Sequence, residues 1–135
     1  MKLRNVAANQ MPVVLWAASI FVLSGIQTFP VSRTPLGLDK IAHWVMFFVF
    51  CGLAWRALYY QSASKALKRY ALLGAFILAV GYGALDELHQ VFVPGRSSDL
   101  YDLAADALGA AGYVAWHSIR SKRVAAGGER PDRRV

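Results

Sequence analysis

A single cysteine in 135 residues excludes an internal disulfide framework. Cys51 also lacks the second thiol or the ligand spacing of a zinc site. It reads as a small hydrophobe, and redox compartment is not legible from it. Acidic side chains are sparse as well, eight Asp and Glu against fifteen Lys and Arg. A net charge of +7 would suit a nucleic-acid partner if the cations formed one patch, but they are dispersed between apolar runs, and no nucleic-acid role is expected. Charge of either sign is missing altogether from residues 11–29.

Apolar residues fill the space those absences leave. They make up 56% of the chain, with aromatics at 13%, the composition of a small integral membrane protein whose surroundings are the lipid bilayer. Four stretches, 11–29, 38–59, 70–91 and 100–119, approach or reach the roughly 20 residues that a helix needs to cross a bilayer. The expected fold is therefore all-α, four transmembrane helices in one compact bundle over residues 11–120, with a short cytoplasmic N-terminus at 1–10 and a disordered basic cytoplasmic tail at 121–135. Lys2 and Arg4 ahead of an apolar run also fit a cleaved signal peptide, but the run is long and no small-x-small site closes it, which favours a retained first span.

Local signals set the expected ends. Pro12 suits the first turn of a helix. Pro30 and Pro35 interrupt the next loop, Gly37 follows, and Asp39 can cap the second helix. Tyr59 and Tyr60 close that helix where amphipathic rings prefer an interface. Gly74, Gly81 and Gly83 in the third run, and Ala104, Ala105, Gly109, Ala110, Ala111, Gly112 and Ala115 in the fourth, are small residues of the kind that lets membrane helices approach closely.

The basic residues then orient the bundle. All but Arg33, Lys40 and Arg96 fall on the side holding both termini and the Gln61-Ser62-Ala63-Ser64 loop, which the positive-inside rule assigns to the cytoplasm. The basic tail can also touch anionic lipid. The carboxylates do the reverse, with Asp39, Asp86, Glu87, Asp99, Asp102 and Asp106 at or near the outer ends.

Helical spacing gathers those carboxylates into stripes. Asp39 and His43 share one face, Asp86 shares a second with His89 and Gln90, and Asp99, Asp102 and Asp106 run three and four apart into the last helix. The turn-like Val93-Pro94-Gly95-Arg96-Ser97-Ser98 segment places Arg96 among them, where its planar fork can neutralise a carboxylate or bind a phosphate bidentately.

Asp39-Lys40-x-x-His43, Asp86-Glu87-x-x-Gln90, Pro94-Gly95-Arg96 and Asp102-x-x-x-Asp106-x-x-Gly109 together resemble the VanZ-like membrane proteins over about residues 38–112. The chain departs from that pattern at Asp106, where the family more often carries asparagine. The resemblance implies a small multi-spanning protein of the plasma membrane. It also implies an association with the cell envelope and with antibiotic resistance, since the founding member is linked to the glycopeptide teicoplanin.

Three readings of the polar groups follow. In the first, Lys40 and Arg96 neutralise neighbouring carboxylates and pin the bundle, with Gln90, Ser97 and Ser98 adding hydrogen bonds. In the second, the site is a hydrolase or transferase acting on a lipid-linked, anionic envelope substrate. There His43, His89, Asp86 and Glu87 are the catalytic or ligating candidates, and Lys40, Asp39, Gln90, Arg96, Asp102 and Asp106 the substrate-binding ones. In the third, a noncatalytic acidic mouth binds a cationic or glycopeptide-like ligand or a partner protein. A proton-coupled transporter fits less well, because the first run has no charge to join a relay. No complete metal motif such as H-E-x-x-H is present, so metal, cofactor and oligomeric state stay open. His117 falls at the opposite, basic end.

Overall fold

The computed structural model describes the backbone of residues 2–26 and 37–128, and the side chains of 7–26 and 37–126. It is helical throughout: α1 Lys2–Gly25, α2 Leu38–Tyr60, the short α3 Lys65–Arg69, α4 Ala71–Val91 and α5 Leu100–Gly128. The loop prolines Pro30 and Pro35, together with Arg33, lie outside the described residues. So do residues 129–135.

Among the described residues three helices are long and apolar enough to cross a membrane, α1 over Ala7–Gly25, α2 and α4. The expected fourth is not among them. Asp102 and Asp106, with the run of Ala and Gly that follows, leave α5 too weakly hydropathic. With 29 residues α5 is about 43 Å long, and it lies beside α2 from Lys40–Asp102 to Trp55–His117 in one parallel register. It packs against α2 and α4, while Leu100, Tyr101, Leu108, Trp116 and Ile119 stay exposed on its outer side.

Other boundaries also shift. α1 begins at Lys2, so Pro12 sits inside the helix and not in its first turn. α2 is capped at Gly37 without a side-chain hydrogen bond, and Asp39 lies in its first turn, where a carboxylate favours the positive helix end. α5 continues past Lys122 to Gly128, so the expected irregular tail starts as helix. In the inner loop Ser64 caps α3, its hydroxyl accepting from the Leu67 N–H at 3.3 Å.

The core is narrow and aromatic. Phe47, Cys51, Ala75, Ala79 and Ala110 are fully buried, and Phe50 packs on Tyr82 with ring centroids 5.1 Å apart. Polar links fasten the middle of α1 to its neighbours: the Trp16 indole N–H donates to the Met46 carbonyl at 3.0 Å, and the Tyr82 hydroxyl donates to the Ala17 carbonyl at 2.7 Å. At Gly109 the backbone of α5 lies directly against the Trp44 carbonyl of α2, where a Cβ would overlap it. That close approach is what a small residue permits.

Polarity is inverted along the outer turns of α4. Leu85, Leu88 and Val91 point outward and are more than half exposed, while Asp86, Glu87 and Gln90 face inward at 4%, 4% and 1% exposure. Val14, Leu15, Ile41, Val45, Leu73 and Ile77 extend the exposed apolar surface over the other helices. Such a surface is unfavourable in water and favourable against lipid.

Candidate functional site

Three helix ends converge at one end of the bundle. His43 stands in the second turn of α2, Glu87 in the last turns of α4 and Asp106 in the second turn of α5. Apart from Lys40 and Arg96, the basic residues that are described gather at the other end. There Arg56 donates to Asn9 at 3.1 Å and Gln10 to the Ala57 carbonyl at 2.9 Å, joining the start of α1 to the end of α2. His117 lies there too, its ring 4.4 Å from that of Trp55.

At the acidic end the polar side chains divide into two groups. The first is centred on Lys40, whose ammonium touches Asp102 at 2.7 Å, Asp99 at 3.0 Å and Asp39 at 3.4 Å. Asp99 also caps α5, its Oδ1 accepting from the Tyr101 N–H at 2.8 Å. Its own N–H donates to Glu87 Oε2 at 2.7 Å, tying the end of α4 to the start of α5.

The second group lies deeper. His43 Nδ1 and Asp106 Oδ1 are 2.9 Å apart, and Asp106 is fully buried. With Asp106 ionised, Nδ1 donates. His43, Glu87 and Asp106 are all buried, and one ligand atom from each lies within 4.8 Å of the others. Glu87 Oε1 and Asp106 Oδ2 have no hydrogen-bond partner, and neither does Asp86 Oδ1. Gln90 donates to Asp86 Oδ2 at 3.1 Å. Arg96 donates to the Gln90 side-chain Oε1 at 3.4 Å, while its buried Nε is unpartnered. A turn positions that arginine: the Arg96 N–H bonds the Val93 carbonyl at 3.0 Å, and Gly95 at φ 81° supplies the left-handed conformation that follows Pro94 in such turns.

His89 stands apart from both groups. It turns toward α1, stacked on Phe21 at 4.3 Å, so the acidic end brings one histidine and not two to the carboxylates. A residue not singled out for the site also shapes it: a Cβ at Gly83 would sit 2.8 Å from Asp106 Oδ2. Its sequence signal was its place one turn before Glu87 on the same helix. An apolar groove of about 580 Å³, lined by Tyr70, Leu73, Phe76 and Val114 among others, lies toward the opposite end. It contributes nothing to this site.

A small helical bundle with an apolar exterior and a buried polar cluster at one end is a membrane protein by construction. The family model described as VanZ/LLP1 matches residues 3–120, and the chain belongs to that family. No curated protein and no solved structure matches it.

Proposed function

We propose that this VanZ-like protein works at the outer face of the plasma membrane on an anionic, lipid-linked envelope substrate, through the buried His43, Glu87 and Asp106 cluster. The observation that carries this reading is the set of unpartnered carboxylate oxygens beside an imidazole, away from bulk water. An unpaired buried polar group opposes folding; Asp39 Oδ1 in the outer group is unpartnered as well, and what sets the deeper oxygens apart is the imidazole beside them. These residue types move protons or ligate a cation. Arg96, with a buried donor uncommitted, is the anion clamp. Orientation follows from the charge asymmetry, with the basic end and both termini in the cytoplasm.

A second reading is favoured by one specific arrangement. Lys40 is saturated by three carboxylates and Glu87 Oε2 is bonded to the Asp99 backbone, so the outer group is a structural lock. On that division Lys40, Asp39 and Asp102 hold the bundle together, and a noncatalytic binding role would fall to the deeper cluster alone.

The test is complementation of a deletion strain under glycopeptide and other envelope stress, with membrane accumulation measured alongside. His43→Ala and Glu87→Gln are expected to accumulate and to fail. Full complementation by both variants would sink the working-site reading. Turnover of polyprenyl-phosphate or phospholipid by the purified protein would separate an enzyme from a binding protein.

A further inference from the structure

The deeper cluster contains more negative charge than its surroundings balance. Asp86, Glu87 and Asp106 are each at least 96% buried. Lys40 is turned to Asp39, Asp99 and Asp102, Arg96 reaches Gln90, and the ion pair shown for these three carboxylates among the described residues is that of Asp106 with His43. Transfer of an isolated carboxylate out of water is strongly unfavourable, so such a group is neutralised, paired or bound to a cation.

We propose that His43, Glu87 and Asp106 form a binding site for one divalent transition-metal cation, zinc or manganese. An imidazole nitrogen of His43, Glu87 Oε1 and Asp106 Oδ2 are its ligands. The two oxygens are the unpartnered ones, and each belongs to a side chain more than nine-tenths buried. Their positions are fixed from outside, Glu87 by its other oxygen on the Asp99 N–H and Asp106 by its seat against Gly83; the ion takes the His43 Nδ1 lone pair in place of the proton now shared with Asp106 Oδ1. Ligand atoms within 4.8 Å of one another need to draw in modestly, since metal–oxygen and metal–nitrogen bonds of about 2.0–2.2 Å hold ligands roughly 3–4 Å apart. One imidazole with two carboxylates is a mixed donor set, which suits zinc or manganese better than calcium or a thiolate-preferring ion. Three protein ligands leave a coordination position open, as in catalytic and not structural sites. Asp86, its Oδ1 unpartnered nearby, adds negative charge that favours the cation.

This inference rests on the reading of the cluster as a working site and specifies how it works. The experiment uses the full chain without a polyhistidine tag, purified in detergent, stripped with chelator and titrated with Zn²⁺ and separately Mn²⁺. About one ion per chain is expected, with affinity falling roughly a hundredfold or more on Glu87→Gln or His43→Ala, and unchanged on Asp39→Asn. Electron spin-echo measurements on the Mn²⁺-loaded wild type are expected to show coupling to an imidazole nitrogen, a readout that does not depend on any variant folding. No stoichiometric binding of either ion, or binding that survives Glu87→Gln and His43→Ala, overturns the metal site. So does Mn²⁺ without nitrogen coupling. The two claims fail separately: absent metal with a non-complementing Glu87→Gln removes only the cation, whereas bound metal with full complementation by both variants removes the working-site reading.

Discussion

Lys40 and Glu87 lie in adjacent polar groups, and their substitutions have opposite expected effects. Lys40 and Asp102 are 14% and 11% exposed at the side chain, and removing the ammonium leaves two further carboxylates facing each other near it. Lys40→Met is expected to destabilise the bundle, by less than the roughly 3–5 kcal/mol of a fully buried pair because the site is partly open to solvent, seen as reduced membrane accumulation and a lower unfolding temperature in detergent. Helical spacing was enough to bring Asp39, His43, Asp86, Glu87, Asp102 and Asp106 to one end. It was not enough to choose between His43 and His89. That choice depends on the rotation of α4 about its axis, and a lipid-facing surface is as apolar as a core-facing one, so the periodicity that reveals rotation in water-soluble helices is faint here.

At the scale of helices, the packing of α5 on α2 decides which small residues matter. A methyl at Gly109 meets the Trp44 carbonyl, a backbone atom that cannot turn aside, whereas a Cβ at Gly81 meets nothing within 4 Å. Gly109→Ala is expected to lower the unfolding temperature and Gly81→Ala to leave it unchanged or slightly raised, because alanine favours helix by about 1 kcal/mol; equal effects of the two would contradict the close approach. Three of the four expected spans were legible, since long apolar runs announce themselves. The composition of the last one misled: Asp102, Asp106, Gly109 and Gly112 turn toward its neighbours and lower its mean hydropathy, while Leu108, Trp116 and Ile119 stay exposed on the other side. The helical start of α1 ahead of Met11 and the helical end of α5 beyond Lys122 escaped notice for a related reason. Polar residues such as Asn5, Asn9, Arg120 and Ser121 continue a helix without marking it hydrophobically.

For the molecule as a whole, the structure separates a basic end from an acidic one. In a background with the buried Cys51 replaced by alanine, a cysteine at Ser98 is expected to react with a membrane-impermeant maleimide added to intact cells. A cysteine at Ala63 is expected to react only after permeabilisation. The reverse pattern would invert the orientation and place the carboxylates in the cytoplasm. Apolar outer walls around a buried acidic cluster also define the energetic problem the protein has to solve. Charge is moved out of water at one end, where oxygens of Asp86, Glu87 and Asp106 are left unpartnered beside the His43 imidazole. A site retained for its chemistry can oppose stability in this way.

Glu87→Gln isolates that claim, because glutamine keeps an oxygen for the Asp99 N–H while removing the buried charge. The decisive measurement is the unfolding temperature of the purified, chelator-treated variant against wild type, taken together with its complementation. The account predicts an unchanged or higher unfolding temperature with complementation lost. A lower unfolding temperature, with complementation falling only as far as accumulation falls, would make the cluster a structural brace and contradict it.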